Sequence, residues 1–171
     1  MKEYRHYGNN HFEPDRFRPI KTEPYDMKPV YGTGFWACPK EDTGEYSWAR
    51  FLEENPTIRN HKHMWKHFDF TLYESAKVVR IAKVTDFLEI EEYILDLHDN
   101  HVNEFIRAEH DINDFTRIPP NIYIDFERAA HDGIDAIELD LTENYWILHY
   151  MLYNWDVNSI LIMNKDIIIP K

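Results

Sequence analysis

The stretch Gly32-Thr33-Gly34-Phe35-Trp36-Ala37-Cys38-Pro39 is the part of the sequence around which the chain is organised. It holds two of the five glycines, next to a Trp and a Pro. A short apolar run bounded by Gly and Pro is typical of a buried strand, and a glycine within it lets another backbone or a ligand approach closely. The stretch therefore predicts a strand beside a ligand. The alternative is an ordinary Gly-rich turn leading into a core strand, with Trp36 packed inside.

Length and composition predict one domain over residues 1–171. The chain has 171 residues, of which 43% are hydrophobic, enough for a single sizeable core. No run of about 20 apolar residues is present to span a membrane. The N-terminus lacks the apolar core of a signal peptide, and the lone Cys38 cannot form an internal disulfide. We therefore expect a cytoplasmic protein that does not engage membranes.

The charge balance bears on the kind of partner. With 31 acidic and 19 basic residues the formal net charge is −12. Such a charge argues against direct nucleic-acid binding, which relies on phosphate contacts. One alternative stays open at this point, a decoy that imitates DNA by offering carboxylates to a basic partner.

Upstream of the central stretch, residues 3–8 predict a strand that runs into a turn at Gly8-Asn9-Asn10, with His6 near the strand's end. Residues 11–31 contain four prolines at five-residue spacing. Proline interrupts both helices and central strands, so this segment is predicted to be an ordered surface loop or a lid.

Downstream, hydrophobic periodicity predicts a mixture of short strands and helices. Strands are expected over residues 67–73, 76–82, 134–139, 159–163 and 167–169, and helices over about 45–54, 85–97 and 124–130, the first capped by Asp42 or Thr43 and ended by Asn55-Pro56. Segments 98–118 and 142–153 have no decisive pattern. Because strands and helices do not alternate regularly, the predicted class is α+β.

Several common chemistries have no motif in this sequence. It contains no cysteine pair, no phosphate-binding glycine loop with Lys-Ser/Thr, no His-Glu-x-x-His and no Gly-x-Ser-x-Gly. His61, His63 and His67 invite a metal interpretation, but Asp69 is the one carboxylate nearby and the spacing is not that of zinc motifs. We interpret them as surface or packing histidines and predict no metal site.

Three short elements resemble the ADP-ribosyltransferase fold. His6-Tyr7-Gly8-Asn9 is similar to the His-Gly-Ser/Thr element that opens that fold, and Gly34-Phe35-Trp36-Ala37 is similar to its Gly-Ile/Phe-Tyr-Phe strand. Residues 159–168 resemble the family's closing strand pattern, whose leading acid is catalytic. The resemblance implies an α+β fold with an ADP-ribosyltransferase-like split β-sheet core and peripheral helices, and NAD as the substrate.

The resemblance also implies roles for individual residues. His6 would hydrogen-bond the adenosine-side ribose, the Gly8 backbone would bind the nicotinamide amide, and Trp36 would stack on the nicotinamide ring. Tyr7, Asn9, Gly34 and Phe35 complete the predicted cofactor-binding set, and the side chains of His6 and Trp36 are expected to open on one cleft.

The catalytic acid departs from the family pattern, because Ser159 occupies its position. A carboxylate near the ribose would stabilise the oxocarbenium character that develops when the nicotinamide–ribose bond breaks. Asp156, three residues earlier, is the predicted substitute, Glu138 is the reserve candidate, and His6 completes the predicted catalytic set.

These residues predict an enzyme that transfers ADP-ribose to a macromolecular acceptor, expected to be a protein, or that hydrolyses NAD. The alternative hypothesis is a non-enzymatic acidic module, of the same or another fold, that binds and inhibits a protein. In that case Ser159, in place of the catalytic acid, would indicate that the enzymatic activity has been lost. An RNA 2′-phosphotransferase shares the fold, but it would need several Arg or Lys for phosphate and no such cluster is present.

Overall fold

A computed structural model describes residues 1–95, 97, 101–108, 118–153 and 155–171. Seven strands form one mixed sheet in the order β4-β7-β8-β2-β1-β3-β9, and β5 and β6 form a separate two-stranded sheet. The strands are β1 Tyr4–Tyr7, β2 Phe35–Pro39, β3 His67–Leu72, β4 Val78–Ile81, β5 Ile94–Leu95, β6 Tyr123–Ile124, β7 Ala136–Leu139, β8 Ser159–Ile162 and β9 Ile168–Pro170. The predicted α+β class is confirmed.

Pairing in the large sheet is antiparallel except between β4 and β7, which are parallel. The α-helices are α1 Trp48–Glu54, α2 Pro56–Arg59, α3 Val102–Arg107, α4 Phe126–His131 and α5 Tyr145–Met151. Short 3-10 helices span Pro14–Arg16, Lys62–Trp65, Val84–Tyr93 and Lys165–Ile167. Residues 11–31 hold only the first of these, as their prolines predict.

Alternate residues of the central strands enter two different hydrophobic clusters. In β8, Leu161 belongs to a cluster that packs under the helices, whereas Ile160 and Ile162 belong to a second cluster with residues of β1 and β3. A strand directs successive side chains to opposite faces, so each cluster covers one face of the sheet. The expected core strands over 34–37 and 159–163 therefore do lie in the core.

The predicted helix over 85–97 is wrong in type and extent. Residues Val84–Tyr93 form a 3-10 helix with a non-helical residue at Ile90, and the chain then enters β5. The buried side chains of this segment are Val84, Phe87, Ile90 and Tyr93. Their spacing of three matches the 3.0 residues per turn of a 3-10 helix, while Leu88, which the α-helical pattern placed inside, is 40% exposed.

The other helix boundaries differ by a few residues. Helix α1 begins after Ser47, whose side chain accepts a hydrogen bond from the Arg50 N–H, rather than after Asp42 or Thr43. Pro56 does not stop helical structure but opens α2, because proline suits the first turn of a helix. The undecided segment 142–153 contains α5.

The polar segment 98–118 contains α3, with Val102 and Ile106 buried. Predictions that fall on residues 96, 98–100 and 109–117, and on the side chain of His63, lie outside the described residues. Gly133 follows α4 with φ +95°, a left-handed conformation that suits glycine after a helix.

Gly34 is required where β2 approaches β8. A Cβ there would lie 2.8 Å from the Ile162 carbonyl oxygen and 2.8 Å from Ile20 Cδ1. Gly32 also has positive φ, but a Cβ would meet nothing within 4 Å. Gly34→Ala should therefore destabilise the fold by about 3 kcal/mol, and Gly32→Ala only by the roughly 1–2 kcal/mol of left-handed strain.

Urea denaturation measures the free energy of unfolding of the two variants. Both variants place a side chain at a positive φ, so the difference between their free energies reports the steric clash at Gly34. Equal free energies of unfolding would show that β2 and β8 do not approach as closely as described.

Candidate functional site

The sheet opens between β1 and β2. These strands share two residue pairs, Tyr4 with Pro39 and Arg5 with Cys38, whereas β1 pairs with β3 over four residues. Beyond Arg5 a side chain replaces the ladder, because His6 Nδ1 lies 2.6 Å from the Trp36 carbonyl oxygen. A carbonyl only accepts, so Nδ1 carries the proton and Nε2 of the neutral ring is an acceptor. His6 thus holds the two diverging strands together.

A cleft of about 1040 Å³ lies at this opening. Binding sites for small molecules typically measure roughly 300–1,000 Å³, so this cleft has room for a large ligand. Residues of the predicted set that line it are His6, Tyr7, Asn9, Gly34, Phe35, Trp36 and Asp156. They come from sequence positions up to 150 apart, and the fold brings them to one place.

Aromatic side chains form much of the cleft wall. Trp36 contacts Trp155 edge to face, with ring centroids 4.5 Å apart. On the α1 side, Trp48 stacks on Phe51 at 5.0 Å, and Tyr7 lies 6.1 Å from Trp48. Such faces can stack on planar ring systems. The sequence did not predict three of these aromatic residues as site residues. The helical pattern gave Trp48 and Phe51 a packing role, and Trp155 lies in a loop where no periodicity indicates its position.

Trp155 also fixes the loop that forms the opposite wall. It is 1% exposed, and its Nε1–H donates to the Met27 carbonyl oxygen at 2.9 Å. The same loop is held against α4, since the Thr22 hydroxyl donates to Asp125 at 3.0 Å. Residues 21–34 are therefore anchored on two sides and form a fixed wall in this structure.

The positive charge nearest the opening belongs to Arg5, which faces Asp69 across β1 and β3. Its Nε and a terminal nitrogen donate to the two Asp69 oxygens at 2.7 and 3.0 Å, and Lys40 lies 3.0 Å from the same carboxylate. The hydrogen bond from Arg5, with Lys40 beside it, lowers the pKa of Asp69 to about 2. Arg5 is thereby held in place with its charge compensated.

Cys38 also lines the cleft and is buried, with its Sγ 3.6 Å from the Arg5 carbonyl oxygen. Burial raises the pKa of the Cys38 thiol to about 12. The thiolate is the nucleophilic form of cysteine, so this thiol is suited to packing rather than to nucleophilic attack at neutral pH.

Asp156 and Ser159 both line the cleft but differ in exposure. Asp156 is exposed, and within the described part of the chain it forms no salt bridge. Ser159 is buried, and its hydroxyl donates to the Val157 carbonyl oxygen at 3.0 Å. Of these two residues, Asp156 therefore offers a carboxylate to a ligand, while the hydroxyl of Ser159 is already engaged.

His6 and Trp36 both line the cleft, but their rings make their packing contacts on different faces of the sheet. The His6 ring contacts Phe35 at 5.0 Å and Phe68 at 5.3 Å, in the second hydrophobic cluster. Trp36 packs on the other cluster with Trp155. Since Phe35 and Trp36 are successive residues of one strand, their side chains point to opposite faces, and the His6 imidazole follows Phe35. Burial lowers the pKa of His6.

The proposed amide-binding role of Gly8 also needs correction. Its N–H donates to the Lys66 carbonyl oxygen at 2.8 Å, so this donor is already paired. Gly8 has φ +119°, which turns the chain at the end of β1 between the cleft-lining residues Tyr7 and Asn9. The glycine serves this turn.

Glu138, the reserve catalytic acid, lies outside the cleft. It lines a separate cavity of about 140 Å³ with Lys2 and Asp42. The carboxylate is 5% exposed and forms a salt bridge with Lys2, and it accepts a hydrogen bond from the Tyr4 hydroxyl at 2.8 Å. Both oxygens of this buried carboxylate are paired within the fold, and Glu138 has no access to a ligand in the cleft.

No family model, curated protein or solved structure matches the chain. Among the described residues, none of the helices has both the length and the apolar character to cross a membrane. In that same part of the chain, no group of three or more His, Cys, Asp or Glu side chains is placed to hold a metal ion.

The indole of Trp155 should hold the cleft wall. Trp155→Phe keeps a buried ring but leaves the Met27 carbonyl without its donor, a loss of about 1–3 kcal/mol in the free energy of unfolding. The loop should also become easier to cut after Tyr25, which is 72% exposed. Urea denaturation and limited chymotrypsin digestion measure both effects.

Trp65→Phe is the matched control, because Trp65 is 75% exposed. If Trp155→Phe and Trp65→Phe have the same stability and the same cutting rate after Tyr25, the indole hydrogen bond does not anchor the wall.

Proposed function

We propose that the chain binds NAD in the cleft between β1 and β2 and transfers its ADP-ribose to a macromolecular acceptor, or to water. The observation that carries the proposal is the convergence of Tyr7, Asn9, Trp36 and Asp156 on one large aromatic cleft at a split in the sheet. Tyr7, Asn9 and Trp36 belong to the elements that resemble ADP-ribosyltransferases, and Asp156 is the carboxylate nearest in sequence to the position of the family's acid.

The lining supports a ligand with planar rings and a charged linker. Trp36 and the Trp48–Phe51 pair offer aromatic faces on two sides of the cleft. Lys28 and Arg5 are its cations, and Lys28 is the one to which a pyrophosphate would be attracted, because Asp69 compensates the charge of Arg5. NAD combines two ring systems with such a linker, so its chemistry fits this distribution of groups.

In the proposed reaction the bond between the ribose carbon and the nicotinamide nitrogen breaks, and the bonding electrons leave with nicotinamide. The ribose carbon gains positive charge, which the Asp156 carboxylate stabilises. The acceptor or a water molecule then bonds to that carbon and releases a proton. His6 acts through structure, by holding β1 to the Trp36 carbonyl oxygen, with Nε2 as the one ring atom left to accept a hydrogen bond from a ribose hydroxyl.

One observation favours the second candidate, a module that binds a ligand or protein without chemistry. Ser159 stands where the family places its acid, and its hydroxyl is buried and bonded to Val157. Of the two acids predicted to replace it, Asp156 lines the cleft and Glu138 does not. The two candidates agree on the cleft and differ on turnover, so binding and turnover must be measured separately.

NAD should stabilise the fold through Trp36. Binding to the native state alone adds about 2.7 kcal/mol at a hundredfold excess of ligand over Kd, so millimolar NAD should raise the melting temperature. Trp36→Ala should remove most of this shift, whereas Trp65→Ala should keep it. Absence of a shift in the wild type, together with unchanged Trp fluorescence, would contradict NAD binding.

Asp156→Asn should separate binding from chemistry. The amide keeps the size of the side chain but loses its charge, so NAD binding should persist while turnover falls about 10²-fold or more. Nicotinamide release measured by chromatography gives turnover, and Asp15→Asn is a control at an exposed site on the 3-10 helix Pro14–Arg16. Equal turnover in wild type and Asp156→Asn would remove Asp156 from the mechanism, and an inactive wild type that binds NAD would favour the non-enzymatic module.

A further inference from the structure

The mouth of the cleft combines an exposed aromatic ring with exposed carboxylates. Tyr31 lines the cleft and is 100% exposed. Glu23, Asp26 and Asp156 also line it and are exposed. We call these four residues the mouth surface. The exposed tyrosine presents a ring face at the rim of the cleft on which a planar or cationic group can stack.

The carboxylates of the mouth surface are not neutralised by the chain. Within the described residues, none of Glu23, Asp26 and Asp156 forms a salt bridge, although fifteen such bridges occur elsewhere. Arg5 and Lys28 are the cationic residues that line the cleft. Arg5 is paired with Asp69, whereas Lys28 forms no salt bridge within the described residues. The mouth therefore carries an excess of negative charge, on a protein whose net charge is already −12.

These carboxylates are held together by the fold. Asp26 precedes Met27, whose carbonyl accepts from Trp155, and Asp156 follows Trp155. One buried hydrogen bond thus links the two chain segments that carry these acids, and both acids line the same cleft. Asp26 is fixed further, because its side chain accepts a hydrogen bond from the Lys28 N–H at 3.0 Å. Keeping like charges close has an electrostatic cost that a cationic occupant would relieve.

We infer that the mouth surface docks a basic segment of a protein, rich in Arg or Lys, and that this segment belongs to the acceptor. Arginine suits both parts of the surface, because its guanidinium pairs with carboxylates and stacks on aromatic rings such as Tyr31. The identification of the docked segment as the acceptor rests on the proposed function. Docking itself depends only on the cleft, its exposed tyrosine and its charge.

The test uses a short fluorescein-labelled peptide of alternating Arg and Gly as the probe, with binding followed by fluorescence anisotropy. The double variant Glu23→Gln/Asp26→Asn removes two charges and keeps the Asp26 acceptor for Lys28. Glu74→Gln/Glu89→Gln removes the same charge at two exposed sites that do not line the cleft, and it corrects for general attraction to an acidic protein.

The mouth variant should weaken peptide binding about fivefold at low salt, as expected for the loss of two solvent-exposed ion pairs, and the remote variant should leave Kd within about twofold. The difference should shrink at about 500 mM NaCl, where exposed charges are screened. Tyr31→Ala should weaken binding as well. Equal weakening by both double variants, or no binding of the peptide to the wild type, overturns the inference, as does preferential binding of a single-stranded oligonucleotide at the mouth.

Melting with NAD distinguishes this inference from the proposed function. If NAD gives no shift but the peptide discriminates between the two double variants, docking stands and NAD chemistry fails. If NAD shifts the melting temperature while the peptide does not discriminate, the cleft binds NAD and the basic occupant is wrong.

Discussion

Strand β2 cannot follow both of its neighbours along its whole length, and the cleft results from that constraint. Its N-terminal end is held against β8, where Gly34 permits an approach to the Ile162 carbonyl that any side chain would block. Pairing with β1 therefore stops after Arg5 and Cys38. The His6 imidazole bridges the gap with one hydrogen bond to the Trp36 carbonyl. A side-chain bond in place of a ladder keeps the strands together and leaves space beside them.

The walls of that space are fixed by contacts between parts of the chain that are distant in sequence. Trp155 packs on Trp36 and also holds the Met27 carbonyl, so a single side chain links β2, the proline-containing loop and the segment before β8. The prolines restrict the loop's backbone before it docks, which lowers the entropy lost on ordering it. A site assembled in this way needs little reorganisation to bind a rigid ligand.

The local elements of the fold were largely predictable from the sequence. Alternation in the sequence predicted β3 and β7, a short aromatic run before a turn predicted β1, and a continuous apolar run predicted β8. All four residues of β7 and of β8 are buried. The segment Val84–Tyr93 was wrongly predicted to be an α-helix, because its sequence has apolar residues at spacings of both three and four. The buried residues follow the spacing of three that suits a 3-10 helix, and Leu88, which an α-helix would bury, is exposed.

The residues of the site were predictable in part, and the incorrect predictions depended on contacts between parts of the chain that are distant in sequence. The cleft is lined by four of the predicted residues, namely Tyr7, Gly34, Trp36 and Asp156. They could be predicted because local sequence patterns indicate the strands and turns that carry them. The different packing of the His6 and Trp36 rings was not predicted, because the sequence does not state how the register of β1 relates to that of β2. Glu138 was misjudged for a similar reason: its partners Lys2 and Tyr4 lie more than 130 residues away.

Charge places a further constraint on any ligand of the cleft. Arg5 is compensated by Asp69, so its attraction for an anion is reduced, and Lys28 faces three exposed carboxylates. A dianionic pyrophosphate alone would gain little there. NAD differs from a simple polyphosphate because its nicotinamide ring is cationic and both of its ends are planar. Its binding would therefore depend on stacking against Trp36 and the Trp48–Phe51 pair, with the carboxylates favouring the cationic end and Lys28 the linker. As the bond to nicotinamide breaks, the positive charge would move from that ring to the ribose, where a nearby carboxylate would stabilise it in the transition state. A negative cleft and NAD chemistry are therefore compatible.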